Sequence, residues 1–158
     1  MRIRICNQNQ KGSSVAEFAI VAGLFFMLIF AVIEFGRLLY THNALTDAAR
    51  RGARYAVLHA QNTTCVKNVV VYGETHINPA TCAPTGPALI NGLGPNNVTV
   101  TYAGSGSDPF DMNRGIATVS ITAYTFNLSI PFFKQTLTMP PYTTTLTAES
   151  AGRIPPDI

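Results

Sequence analysis

The chain has 158 residues, of which 12% are charged, and it contains 12 glycines and 10 prolines. This length allows one small domain, and this composition is typical of β-structure with long turns, not of a charged, disordered chain. Three of the eleven basic residues precede Ser13, and eight basic and eight acidic residues come after that point. The main body therefore lacks the positive excess of a nucleic-acid-binding protein, and we expect no nucleic-acid partner.

An uncharged, apolar run occupies residues 18–33. As a helix it would be about 24 Å long, and extension back to residue 13 gives about 30 Å, the thickness of a bilayer core. The extension places Glu17 inside the span, where an unpaired carboxylate costs about 2–4 kcal/mol. A secretory signal peptide fits poorly, because bulky and charged residues follow the run. We therefore expect one membrane anchor at about residues 15–35, with a partner for Glu17.

A short basic segment precedes the run and ends in Lys11-Gly12-Ser13-Ser14-Val15-Ala16-Glu17-Phe18. This stretch resembles the processing site of type IV prepilins, and of the Flp/Tad branch in particular. In those proteins a membrane-embedded aspartic peptidase cuts after the glycine. The fifth residue of the mature chain is a glutamate, and the sixth is aromatic. The resemblance implies a leader over residues 1–12, cleavage between Gly12 and Ser13, and mature positions five and six at Glu17 and Phe18.

Cleavage at this point gives Glu17 a physical role. It would create an ammonium group on Ser13, and packing of subunits into a filament would remove that charge from water at a large cost unless it is paired. The Glu17 carboxylate lies one helical turn along and could pair with the Ser13 ammonium of its own or a neighbouring chain. We expect this pair to permit a single axial register between subunits. The alternative is an interfacial glutamate on an uncleaved anchor.

Basic residues flank the run on both sides and leave the positive-inside rule close to a tie. They are Arg2, Arg4 and Lys11 before the run and Arg37, Arg50 and Arg51 after it. The leader, together with Cys65 and Cys82 after the helix, which could form a disulfide outside the cytoplasm, favours a cytoplasmic N-terminus with the rest of the chain outside the inner membrane.

The helix is expected to continue well beyond the membrane, since no proline occurs between Met1 and Pro79. Residues 13–60 are predicted to form one rod about 70 Å long. One face carries a polar stripe with Asp47 four residues before Arg51, a favourable order for an ion pair. Another face carries a ridge of small residues spaced by four, which lets a second helix or a sheet approach closely. The ridge comprises Ala44, Ala48, Gly52 and Ala56.

The helix sequence also resembles the TadE-like family, which includes pseudopilins encoded with Flp pili. The likeness covers residues 15 to about 56 and includes Ile33-Glu-Phe-Gly-Arg-Leu-Leu-Tyr, Asn43-Ala-Leu and Ala48-Ala-Arg-Arg-Gly-Ala-Arg-Tyr-Ala. Gly23 stands where such proteins often carry a proline, so no kink is expected there. The resemblance implies a minor or initiating subunit in the envelope and pilus. Its implied partners are other pilin and pseudopilin subunits, the prepilin peptidase, the inner-membrane assembly platform and membrane lipid.

Residues 61–158 are predicted to form a β-rich head, which makes the fold class α+β: a long pilin-like helix followed by a small, mainly antiparallel sheet. Strands are expected at 66–72, 97–102, 116–130 and 143–149. The apolar phase changes between Ala123 and Tyr124, which predicts a bulge or bend. Gly- and Pro-rich loops at 78–96 and 103–115 could serve partner contacts or be tolerated insertions.

Two of the three cysteines, Cys65 and Cys82, would close a loop of about 18 residues and contribute about 3 kcal/mol as a disulfide in an oxidising compartment. The alternative is two unrelated thiols. Cys6 lies in the expected leader.

No arrangement of residues predicts an enzyme, a cofactor or a metal site. His42, His59 and His76 lack metal-ligand spacing, and residues 108–115 lack the alternation and closing glutamate of a calcium loop. Gly104-Ser-Gly106 follows no strand–helix pattern that would bind phosphate. The sequence thus favours a processed minor pilin that supports pilus biogenesis and surface adhesion. The alternative is an uncleaved, single-span envelope protein whose β-head binds a ligand.

Overall fold

The computed structural model describes residues 10–103, 116–131 and 133–147. Its first element is helix α1, Gln10–Leu58, which is unbroken over 49 residues and therefore about 73 Å long. Gly23 and Gly36 lie inside this helix with open space around them. The expected rod is therefore present.

The N-terminal half of α1 makes almost no contact with the rest of the chain. Among the described residues, α1 is the one helix long and apolar enough to cross a membrane, and 6% of its most apolar window is buried. Large apolar side chains project from all around it, including Phe18, Leu24, Phe25, Phe26, Leu28 and Val32. A helix that is apolar all round requires lipid or other helices as its surroundings.

Helix α2, Thr63–Tyr72, replaces the strand predicted at 66–72, and that prediction is wrong. Asn62 caps the helix, since its side-chain oxygen accepts hydrogen bonds from the backbone N–H groups of Thr64 and Cys65, both 3.1 Å. The buried residues recur at helical spacing, three and four apart, as Val66, Val69 and Val70 do. β-branched residues weakly disfavour helices, but the cap and burial against α1 outweigh that preference.

Within the described residues, five strands follow α2. They are β1 Val98–Ala103, β2 Ile116–Ile121, β3 Thr125–Ile130, β4 Phe133–Thr138 and β5 Tyr142–Thr147. An antiparallel sheet has the order β1-β2-β5, with Val100 opposite Val119 and Val119 opposite Thr144. The strands predicted at 97–102 and 143–149 are confirmed within the described residues.

The long β-segment predicted at 116–130 is divided between two sheets. Ala123 has a φ of 55° and ends the first strand at the predicted phase change, so the expected bend is confirmed. After the bend, β3 pairs with β4 in a separate antiparallel hairpin. β4 was not predicted, because its sequence carries no regular apolar alternation. In the structure its described side chains from 134 to 138 are all exposed.

The core lies between the second half of α1, helix α2 and one face of the three-stranded sheet. Leu45, Val70, Val119 and Ile121 are completely buried there. Burial of a large aliphatic side chain contributes about 1.5–3 kcal/mol. The head is therefore attached to α1 by its own hydrophobic core, and the α+β architecture is confirmed.

Candidate functional site

The motif expected to govern processing and assembly lies in the first turns of α1. Gly12, Ser13, Glu17 and Phe18 are all exposed, and Phe18 is 74% exposed. The Ser13 hydroxyl donates a hydrogen bond to a Glu17 carboxylate oxygen at 3.3 Å. The carboxylate is therefore directed towards residue 13, the position at which cleavage would create an ammonium group.

The bond between Gly12 and Ser13 lies within helical backbone, because α1 begins at Gln10. A peptidase that requires an extended substrate would have to unwind this first turn. The turn contains no acidic residue to stabilise the helix N-terminus. Glycine further lowers local helix stability by about 1 kcal/mol relative to alanine, so unwinding here is inexpensive.

The small-residue ridge of α1 packs against the chain's own head. Ala48 and Ala56 are at most 1% exposed, and Ala44 is half-buried. Gly52 is buried so closely that an added Cβ would overlap the Val70 side chain and touch that of Val119. The ridge therefore positions α2 and β2 on the helix. On an adjoining face of α1, Asp47 and Arg51 form an ion pair at 3.6 Å, which contributes little because Asp47 is exposed.

A polar junction joins α1 to β3 immediately after the apolar run. Glu34 is only 8% exposed, and its carboxylate accepts hydrogen bonds from the Ser129 backbone N–H and from Arg37, both 2.8 Å. Arg37 also donates to the Asn127 carbonyl and lies 4.6 Å from the centre of the Phe126 ring. Sequence reasoning missed this junction, although an acid three residues before a base at the end of an apolar run was a visible signal.

One segment of the chain, within α1, is similar to a known protein family. Residues 12–54 match the TadE-like proteins. The suspected resemblance is confirmed over this segment, which begins at Gly12 and ends two residues beyond Gly52. The match covers 43 of the 158 residues and ends within α1, before the head begins. No curated protein and no solved structure matches the chain.

Within the matched segment, α1 contacts the head through a pair of aromatic rings, those of His42 and Tyr142. The His42 ring nitrogen Nδ1 lies 2.7 Å from the Tyr142 hydroxyl, and the two rings meet edge to face. Burial raises the pKa of Tyr142. Burial likewise raises the pKa of Tyr124, whose hydroxyl donates to the Asn91 carbonyl at 2.7 Å. The two tyrosines therefore have packing roles. Tyr142 attaches β5 to α1, and Tyr124 attaches the bend before β3 to the loop that contains Asn91.

The described residues contain no group of three or more histidine, cysteine or acidic side chains placed to hold a metal ion. Cys6, the 104–115 part of the second loop and the acidic segment 108–115 lie outside the described residues.

A disulfide joins Cys65, in the first turn of α2, to Cys82, with 5.0 Å between the Cα atoms. Cys82 has a φ of 57°, and its carbonyl accepts a hydrogen bond from the Asn68 side chain at 2.8 Å. The bond closes the chain from α2 through the first part of the 78–96 loop. The head thus carries a covalent crosslink beside its core.

Removing this crosslink should destabilise the head. We expect the free energy of unfolding of the Cys65→Ser/Cys82→Ser variant to be about 3 kcal/mol lower than that of the unaltered protein. The reason is that the unfolded chain regains the entropy of an open loop. Chemical unfolding of the full chain in detergent, followed by near-ultraviolet circular dichroism, measures the difference. Cys6→Ser is the matched control and should leave stability unchanged. Equal stability of the double variant and the unaltered protein would contradict the prediction.

Proposed function

We propose that this protein is a minor pilin or pseudopilin of a Tad-type pilus system, cleaved after Gly12 and incorporated through the N-terminal half of α1. One observation carries the proposal: a long apolar half-helix, exposed on nearly every side, begins with a prepilin-like motif inside the TadE-like segment. The head occupies only the other half of α1. The exposed half is therefore available for intermolecular contacts.

The exposed half of α1 suits two surroundings in succession. In the membrane its side chains contact lipid, and in a filament they contact the helices of neighbouring subunits. The exchange requires little hydrophobic driving force because lipid tails and aliphatic side chains are similarly apolar, so packing and polar pairs determine association. Glu17 is the charged side chain within this half that can supply such a pair.

The head supports a minor subunit over a major one. Proteins resembling the major Flp pilin are far shorter and lack a sizeable head, whereas here α2 and two antiparallel sheets follow α1. The disulfide favours a location outside the cytoplasm, where such bonds persist. We therefore propose a cytoplasmic N-terminus, a head beyond the inner membrane, and a contribution to pilus biogenesis and surface adhesion together with other pilin subunits and the assembly platform.

The alternative function, an uncleaved envelope protein with a ligand-binding head, has one observation in its favour. A cleft of about 440 Å³ lies between α1 and β3 and is lined by Arg37, Tyr40, Asn91, Tyr124 and Phe126, among others. Clefts of this size can hold small ligands. The guanidinium group of Arg37 in this cleft is already paired with Glu34. This pairing makes the cleft less suited to an anionic ligand.

Mass measurement of the N-terminal peptide from envelope material tests the proposal. We expect the mature chain to begin at Ser13 and to retain residues 1–12 when the prepilin peptidase is absent. Gly12→Val should block cleavage because its branched side chain obstructs an extended backbone in the peptidase cleft. Gly23→Val is the matched control, since both glycines have open space around them. A native chain that retains its first twelve residues would exclude the processed-pilin function.

A further inference from the structure

The β3–β4 hairpin lies along α1 and points towards the apolar run. Asn127 is level with Arg37, and Ser129 is level with Glu34, through the hydrogen bonds described above. Further along, Ile130 and Pro131 line a shallow cavity together with Phe30. Strand β3 therefore runs beside α1 in the direction of the helix N-terminus, from the level of Arg37 to the level of Phe30. These two helix residues are seven positions, or about 10 Å, apart.

The end of the hairpin passes the apolar border of the helix. Glu34 is the first charged residue after the run at 18–33, and Phe30 lies four residues, about 6 Å, on the apolar side of it. If α1 spans a membrane with Glu34 at its surface, Ile130 and Pro131 are level with the outermost acyl chains. The Glu34–Arg37 pair satisfies the polar groups at this level, so the hairpin reaches the border without leaving the Ser129 N–H or the Glu34 carboxylate unpaired.

The chemistry of the hairpin tip, defined here as Ile130, Pro131 and Lys134, suits an interface between lipid and water. Pro131 is exposed and has no backbone N–H that would need a hydrogen-bond partner in lipid. Ile130 is half-buried, and Lys134 is an exposed cation that also lines the cavity beside Phe30. In the sequence, Phe132 and Phe133 separate Pro131 from Lys134.

We propose that the hairpin tip is a second membrane contact, in which Ile130 and Pro131 enter the boundary of the acyl chains and Lys134 meets lipid phosphate. Interfacial segments of this kind insert about 5–10 Å below the headgroups. A bilayer is the occupant that the geometry favours, because the tip is continuous with the apolar surface of α1 and carries the charge that complements anionic headgroups. The contact would determine how the head is oriented above the membrane.

The absence of tryptophan from the chain makes a direct depth measurement possible. Two single-tryptophan variants of the full chain, Pro131→Trp and Ile130→Trp, are reconstituted in nanodiscs of phosphatidylethanolamine and phosphatidylglycerol. Leu137→Trp is the control, because Leu137 is 46% exposed on the same hairpin and lies about 13 Å up from the tip. Lipids brominated on their acyl chains then quench any tryptophan that enters the bilayer.

We expect quenching at least about twofold stronger at positions 130 and 131 than at 137, because only the tip lies within the interfacial depth. Lys134→Gln in the Pro131→Trp protein should weaken that quenching, and replacement of phosphatidylglycerol by a neutral lipid should do the same. Equal quenching at 131 and 137 would overturn the proposal, as would a blue-shifted but unquenched signal at 131, which indicates a protein neighbour. The nanodisc measurement involves neither cleavage nor filaments, so its failure is distinguishable from failure of the pilin function.

Discussion

Replacing Glu17 by alanine should leave the protein cleaved after Gly12 but reduce its recovery in sheared pili by at least about tenfold. In the proposed pilin, the carboxylate pairs with the ammonium that cleavage would create on Ser13. In the full chain the carboxylate already accepts a hydrogen bond from the Ser13 hydroxyl. A buried charge that loses its partner costs about 3–5 kcal/mol. A tenfold loss of incorporation corresponds to only about 1.4 kcal/mol, so the expected loss is at least that large. Quantitative mass spectrometry of pilus and membrane fractions measures both cleavage and incorporation.

Two control variants separate charge from shape in this experiment. Glu17→Gln keeps the size of the side chain and removes its charge, so it should resemble Glu17→Ala. Ser13→Ala removes the hydroxyl hydrogen bond but retains the new ammonium, so its incorporation should remain close to that of the unaltered protein. Normal assembly of Glu17→Gln would show that charge pairing is not the role of this residue.

Replacing Gly52 by valine should destabilise the head by at least about 2 kcal/mol. A Cβ at this position overlaps the Val70 side chain, and Val119 leaves no room on the sheet side. Relief would require α1 and α2 to separate, which opens the core that holds the head on the helix. Thermal unfolding in detergent, followed by near-ultraviolet circular dichroism and protease resistance, measures the loss.

Gly36→Val is the matched control for this substitution, because Gly36 lies in the same helix with open space around it. It should change stability by much less than Gly52→Val. Adding Val70→Ala to Gly52→Val should recover part of the lost stability, since it removes the overlapping methyl groups. Equal effects at positions 36 and 52 would show that helix propensity, not close approach to Val70, is what valine disturbs.

The parts of the fold that sequence reasoning found are those with a strong periodic signal or a family likeness. α1 was predictable because no proline interrupts it and its apolar run has membrane length. β1, β2 and β5 were predictable because apolar and polar residues alternate along a half-buried sheet. The bend at Ala123 was predictable because the apolar phase changes there.

The errors occurred where tertiary contacts outweighed local preference. The valines of α2 favour a strand, yet the Asn62 cap and burial against α1 produce a helix. β4 carries no apolar signal and forms because β3 offers backbone hydrogen-bonding groups along its length. The Glu34–Arg37 junction depends on β3, which is more than 90 residues away in the chain, so spacing alone could not reveal both of its partners.

By itself the sequence determined that this protein has an apolar helix with a prepilin-like start, a ridge of small residues and a β-rich domain beyond it. Those features follow from local composition and periodicity, which need no knowledge of distant contacts. Only the tertiary structure decided that the ridge faces the protein's own head and that β3 runs down the helix to the apolar border. Both depend on which surfaces of α1 the head covers, because a single helix presents every face equally until a core forms against one of them.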